Sequence, residues 1–313
     1  MTKNILIIKH GALGDLIFAA GAFKAIRAYH KNDHVVLLTS SPFKQMMESS
    51  PYFDEVWVDD RPRLWTHPLK CVRLFQQLKQ ANFDQVYDLQ RSKRTSWYFR
   101  VMEWFFRAMP KWSGTMKGCA FPYLIKSKYE KHIITMNQEQ LEKAHIKNVP
   151  LPNLDWMKAP ISGLQLPKKY FLLVPGCSPT QPHKRWNAQG YAAVATYLKE
   201  KKITPIILGT KDEKEVIDRL VKLAPYCLNL MGKTSLFQIA ELGRHAVGAL
   251  GHDTGPMHIL VYVGCPSLLL FSYSSGLDLC GPLMPQSHAI QRANLQDLTS
   301  EEVIKYLKLS SPS

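Results

Sequence analysis

A chain of 313 residues with 46% hydrophobic content is long enough for two cores rather than one, so two α/β-sized domains are the first expectation. No apolar run approaches the ~20 residues that cross a bilayer, and Met1-Thr2-Lys3-Asn4 leads straight into an apolar strand rather than a signal peptide, which predicts a cytoplasmic protein. A formal net charge of +15 favours anionic partners, while six scattered cysteines (Cys71, Cys119, Cys177, Cys227, Cys265, Cys280), without CxxC or zinc-type Cys/His spacing, predict reduced thiols and no protein-held metal.

The first half alternates. A strand is predicted over 5–9, a glycine-bearing turn over 10–15, a helix over 16–29 and a strand over 34–39, which together make a βαβ unit. Short strands follow at 56–58 and 85–88, with a helix over about 68–80 between them, and residues 91–107 have helical composition. Charge is uneven, with 24 Lys/Arg against 14 Asp/Glu in residues 1–160 and 16 against 11 in residues 161–313. Within 91–131 stand ten Lys/Arg, only Glu103 and Glu130 as acids, and Trp97, Tyr98, Phe99, Trp104, Phe105, Phe106, Trp112, Phe121, Tyr123 and Tyr129. Such a mixture favours anionic surfaces; the alternative is that the aromatics pack in the core and the charges are solvated. A nucleic-acid module would share the composition but needs no acid at a strand end in each half, so no nucleic acid is expected.

Residues 149–167, VPLPNLDWMKAPISGLQLP, are proline-punctuated and lack a sustained period, which marks a linker between domains at 1–155 and 168–313. Beyond it the alternation restarts: strand 170–174, loop 175–186, helix 188–199, strand 204–208, helix 212–223, a GKTS turn, helix 236–243, strand 246–250 and a further helix. Thr299 or Ser300 with Glu302 marks a last short helix. Two similar halves joined by a linker predict an α/β protein with an interdomain cleft.

Chemistry concentrates where strands hand over to helices, because the carboxyl ends of parallel strands and the N-termini of helices present unpaired amides to anions. GHDTGPMH places Asp253, Thr254, Gly255 and His258 at such a turn, with Pro256 suited to an early helical position. Asp253 is equally a good N-cap, and His258 equally a packed first-turn side chain. GALGD brings Asp15 to the end of the first strand, either as a helix cap or as a carboxylate able to take a proton from a hydroxyl. Its glycines lack the GxGxxG spacing, which disfavours nicotinamide. PGCSPTQPHKRW supplies Ser178, Thr180, Lys184 and Arg185, and Lys184 is either a phosphate partner or a solvated cation. Glu213 in LGTKDE either accepts hydrogen bonds from ribose hydroxyls or complements a helix dipole. The GKTS turn is no P-loop, since GxxxxGK is absent, and is read as Thr234 or Ser235 capping a helix.

In order and spacing, ILIIKHGALGDLIFAAGAFKAIR, PGCSPTQPHKRW, LGTKDE, MGKTSLFQIAEL and GHDTGPMH resemble glycosyltransferase family 9, the ADP-heptose:lipopolysaccharide heptosyltransferases. The resemblance implies a GT-B fold of two Rossmann-like domains, with acceptor bound mainly by the first and ADP-activated sugar by the second, and metal-independent inversion at the anomeric carbon. It implies Asp15 as catalytic base, Lys184 on the donor phosphates, Ser178 and Thr180 in the phosphate loop, and Glu213 near the ribose. Asp253, Thr254, Gly255 and His258 would hold the donor, with Asp253 near the sugar hydroxyls. Arg91, Lys93 and Arg94 would lie on the acceptor and membrane side. The acceptor would be an anionic glycolipid on the inner face of the inner membrane, approached peripherally, with no cofactor beyond the donor. The sequence departs from the family pattern at His10, Gly21 and Asn187. A UDP-sugar transferase or epimerase of the same architecture, or a catalytically silent nucleotide-sugar binder, is the alternative.

Overall fold

The computed structural model describes residues 2–63, 65–106, 109–125, 130–176, 185–273 and 276–307. The chain divides into two compact units, Met1–Pro152 and Asn153–Ser313. Unit 1 carries strands β1 (Asn4–Ile8), β2 (His34–Thr39), β3 (Glu55–Val58), β4 (Gln85–Asp88), β5 (Lys111–Gly114) and β6 (Phe121–Pro122). Unit 2 carries β7 (Tyr170–Val174), β8 (Thr204–Ile207), β9 (Leu228–Asn229), β10 (Ala249–His252), β11 (Ser267–Ser272) and β12 (His288–Arg292).

Each unit folds its strands into one parallel sheet, in the orders β3-β2-β1-β4-β5-β6 and β12-β11-β10-β7-β8-β9. The two orders are the same doubly wound topology. Helices cover both faces of such a sheet, so its central strands are buried throughout and read as unbroken apolar runs, as Ile5-Leu6-Ile7-Ile8 and Phe171-Leu172-Leu173-Val174 do. The order reverses between β1 and β4, and again between β7 and β10. A crevice opens at the carboxyl ends of those strands, because the helices that follow them leave to opposite faces.

The units close around separate cores. In unit 1, helix Pro68–Ala81 meets helix Lys93–Phe105 through the Phe75 ring, whose centroid lies 5.1 Å from that of Trp97 and 5.5 Å from that of Tyr98. Leu74, Leu78, Phe99, Met102 and Trp112 complete this layer. In unit 2, Trp186 and Tyr191 stack edge to face at 5.0 Å, and the indole N–H donates to the Leu298 carbonyl at 2.8 Å.

Most predicted elements stand within a residue or two of their expected bounds, and the exceptions have local causes. The first helix spans Leu13–Tyr29, three residues earlier than its apolar period suggested, because Asp15 at its third position accepts the Ala12 N–H at 3.0 Å and so caps it. Helix Leu236–His245 runs past its predicted end, which moves the following strand from 246–250 to Ala249–His252. Ser235 caps that helix, accepting the Gln238 N–H. The strands β5, β6 and β9 are too short for a period to mark them, and helix Ile133–Lys143 had no sequence expectation. The proline-punctuated segment is not loose: Arg244 donates to the carbonyls of Leu154 and Met157, both at 2.8 Å, which fastens it within unit 2.

Two departures from the family pattern have steric or capping reasons. Asn187 caps helix Ala188–Glu200 by accepting the Gly190 N–H at 2.7 Å. Gly21 faces backbone: a Cβ there would lie 2.0 Å from the Pro150 carbonyl oxygen. Alanine would favour the helix by roughly 0.5–1 kcal/mol, but displacing packed backbone costs about 1–3 kcal/mol. Gly21→Ala is therefore expected to lower the urea midpoint of unfolding, and a raised midpoint would show that this approach is not tight.

Candidate functional site

At the carboxyl edge of unit 1, polar groups immediately follow β1 and β4. Lys9, only 2% exposed, ends the β1 run, and its Nζ donates to the Leu89 carbonyl at 3.2 Å and lies 3.4 Å from Asp15 Oδ1. Burial lowers the Lys9 ammonium below its ordinary pKa, opposed mainly by Asp15. The Asp15 side chain remains 37% exposed. One of its oxygens caps the helix while the other faces the lysine, so capping and presentation of a carboxylate coexist in one residue.

Across the crevice, Asp88 Oδ1 accepts the amides of Gln90 and Arg91 at 3.1 and 3.0 Å. Its complete burial raises the carboxyl's pKa, against the stabilising hydrogen bonds around it. Arg91 adopts a left-handed φ of 48°. Its guanidinium donates to Asn137 Oδ1 at 2.9 Å and to Gln140 Oε1 at 3.0 Å, so helix Ile133–Lys143 aims it. Gln140 in turn donates to the Asp88 carbonyl at 3.0 Å.

His10, the third departure, ties the loops after β1 and β3 together. Its Nε2 lies 2.7 Å from Asp59 Oδ2, and the same carboxylate accepts the Tyr98 hydroxyl and, through Oδ1, the Arg61 N–H at 2.8 Å. Burial alone would raise the Asp59 carboxyl, yet the bonds from His10 and Tyr98 carry it below the usual range. Arg94 donates to the Tyr98 hydroxyl and reaches Asp59 Oδ1 at 3.6 Å. Of the three cations expected on the acceptor side, Arg91 and Arg94 are therefore held by internal partners, and Lys93 is exposed. The aromatics of 91–131 divide likewise: Tyr98, Phe99, Trp112 and Tyr123 are core, whereas Trp104 and Phe105 are exposed.

Unit 2 presents the corresponding edge. Helix Gly255–Tyr262 begins just after β10 with Thr254 as its N-cap residue in extended backbone. Asp253 stands one position earlier and does not cap; its Oδ1 lies 3.0 Å from His258 Nε2 and 3.6 Å from the Cys280 thiol. This corrects the capping alternative. The buried His258 instead orients the carboxylate, and the first amides of the helix have no acceptor within it. Glu213 closes a short 3₁₀ turn, Lys211–Glu213, accepting the Thr210 N–H at 2.7 Å. The carboxylate also lies against the backbone beyond β7, since a Cβ on Gly176 would come 1.8 Å from its Oε1. Ser178, Thr180 and Lys184 lie outside the described residues. Among the described residues, no group of three or more His, Cys, Asp or Glu stands together to hold a metal ion.

His252 is the unanticipated member of this edge. Its Nε2 accepts the Trp186 N–H at 2.6 Å, which leaves the proton on Nδ1, 3.4 Å from the Gly176 carbonyl. One neutral ring thus joins Gly176 and Trp186, which flank the segment 177–184. Burial lowers its pKa from 6.5 to about 4. The unfolded chain therefore binds more protons in this window, and stability is complete above pH ~6.5 and lost as pH falls towards 4. The loss amounts to roughly 3 kcal/mol. In urea titrations across this range His252→Gln, whose amide can both accept and donate, should flatten that slope; an unchanged slope would remove His252 as its source.

Known proteins share the fold and the sequence pattern of this chain. The model for Glycosyltransferase family 9 (heptosyltransferase) matches residues 71–307. The lipopolysaccharide core heptosyltransferase OpsX of Haemophilus influenzae is 24% identical over 289 residues, covering 88% of this chain and 80% of that protein. The fold is that of the glycosyltransferase family 9 structure from Veillonella parvula (TM-score 0.80, 20% identity, 97% and 95% of the two chains). It is equally that of Escherichia coli ADP-heptose lipopolysaccharide heptosyltransferase II (TM-score 0.77, 17% identity, 97% of each chain). With three quarters of its length matched by the family model and two doubly wound sheets of the same topology, the chain belongs to glycosyltransferase family 9, the heptosyltransferases.

Proposed function

We propose that this protein transfers a heptose from an ADP-activated donor to a hydroxyl of a lipopolysaccharide inner-core acceptor, with inversion and without a metal. The observation that carries the reading is the Lys9–Asp15 pair, a half-exposed carboxylate at the carboxyl end of β1 with a buried ammonium behind it. Asp15 takes the acceptor hydroxyl's proton as that oxygen attacks the anomeric carbon, and the bond from the anomeric carbon to the diphosphate oxygen breaks. The electron pair departs with ADP. Its charge is met by Lys184 and by the amides of Thr254 and Gly255 at the N-terminus of helix Gly255–Tyr262.

Donor recognition falls to unit 2 in this reading. Asp253, oriented by His258, meets the sugar hydroxyls; Glu213, fixed against Gly176, meets the ribose; and Ser178 and Thr180 add hydrogen bonds to phosphate. Arg91, held by Asn137 and Gln140, offers a fixed cation to an anionic acceptor. The acceptor lies on the cytoplasmic face of the inner membrane, which the protein approaches peripherally. Among the described residues no helix is long and apolar enough to cross a bilayer.

Asp15→Asn should reduce turnover by about 10²–10⁴-fold, the usual worth of a general base, while calorimetry still records ADP binding; near-normal turnover would reject the base. In a thermal-shift panel, ADP and ADP-sugars should raise the midpoint more than UDP, GDP or their sugars, and a UDP preference would favour the rival transferase or epimerase. Transfer should survive EDTA, whereas loss restored by a divalent ion would overturn the metal-free reading.

A further inference from the structure

Helix Pro68–Ala81 buries Cys71, Leu74 and Leu78 yet leaves a second apolar stripe in water. Leu69 is 71% exposed and Val72 49%, three positions apart on one helical face, and Trp65, 80% exposed, stands just ahead of them. The surrounding sequence is one-signed: residues 61–82 contain Arg61, Arg63, Lys70, Arg73 and Lys79 and no Asp or Glu. All five are exposed, and none joins an ion pair among the described residues. Large apolar side chains ringed by unpaired cations are the composition of an element that lies in a headgroup layer, where tryptophan is favoured and lipid phosphates neutralise the charge.

The position of the stripe separates it from the exposed pair Trp104 and Phe105. The segment leaving β3 emerges at the carboxyl edge of the unit 1 sheet, and the His10–Asp59 contact of 2.7 Å ties it to the turn just ahead of the helix that carries Asp15. A cavity of about 370 Å³ is lined by the segment leaving β3 and by this helix, with Asp59, Asp60, His67, Lys70, Arg73 and Gln77 among its residues. Trp104 (75% exposed) and Phe105 (67%) instead close helix Lys93–Phe105 as the chain returns to begin β5, at the opposite edge of the same sheet.

We infer that the segment 61–79 docks the protein on an anionic lipid bilayer, with Trp65, Leu69 and Val72 entering the headgroup layer while Arg61, Arg63, Lys70 and Arg73 meet lipid phosphates. This orientation turns the Asp15 edge of unit 1 towards the membrane. It rests on the proposed lipid-borne acceptor only for its purpose, since docking itself requires no sugar transfer.

The test is co-sedimentation of the full chain with vesicles of phosphatidylcholine alone and of phosphatidylcholine mixed with phosphatidylglycerol, at low and high salt. Binding should require the anionic lipid and weaken as salt rises. Trp65→Ser/Leu69→Ser should lose about tenfold or more in vesicle affinity, with an unchanged melting temperature and unchanged transfer to a short water-soluble acceptor. Trp104→Ser/Phe105→Ser should bind as the parent does. Asp15→Asn should also bind vesicles normally, so failure of the transfer reading and failure of docking are read separately. Equal binding by the Trp65/Leu69 variant, loss confined to the Trp104/Phe105 variant, or no vesicle binding by the parent, as expected if the stripe seats an acidic protein, would each overturn the inference.

Discussion

A parallel sheet wrapped on both faces leaves one place where backbone polar groups and side chains can meet a ligand without unpicking the core. That place is the carboxyl edge beside the pair of strands whose connections depart to opposite faces. In unit 1 these are β1 and β4, and in unit 2 they are β7 and β10. The chemically informative groups follow from this constraint. Lys9, Asp15, Asp88 and Arg91 stand within a few residues of the β1 and β4 ends, and His252, Asp253 and Thr254 stand at the end of β10. Glu213, from the turn after β8, reaches the same edge because Gly176 has no Cβ to exclude it.

The two edges are organised by different electrostatics. Unit 1 draws cations inward: Lys9 is buried against a carbonyl and a carboxylate, and the partly buried Arg91 is held by two amide oxygens. Charges withdrawn from water in this way are tolerated only where such acceptors are already in place. The result is a rigid positive background behind a half-exposed carboxylate, suited to holding Asp15 in one orientation. Unit 2 uses a neutral ring instead, and His252 joins two backbone sites without adding a charge beside Asp253. A protonated imidazole could not accept from Trp186, so the clasp depends on the burial that keeps the ring neutral.

The departures from the family pattern are better explained by packing than by chemistry. Gly21 is required by the approach of Pro150, and Asn187 is a working cap. His10 does more, because its bond to Asp59 connects the turn after β1 with the segment beyond β3, and Tyr98 and Arg94 add to the same carboxylate. This continuity is what makes the exposed Trp65 stripe more than an isolated apolar surface.

Fold class, and the strand ends at which the candidate groups stand, were legible in the sequence because both rest on local signals. Unbroken apolar runs mark buried parallel strands, and glycine with an acid at their ends marks the turns, so local sequence alone points to Asp15, Glu213 and Asp253. Pairing was not legible. Nothing local distinguishes an Asp253 that caps from one that turns to His258, or says that Arg91 will be held by a helix more than forty residues away. Nor could composition separate the buried Tyr98 and Trp112 from the exposed Trp104, since all sit in one basic aromatic stretch. Short-range periodicity and turn chemistry determine which elements form and where their ends fall. The partner of each side chain at those ends is a long-range choice made by strand order, and only the tertiary structure decides it.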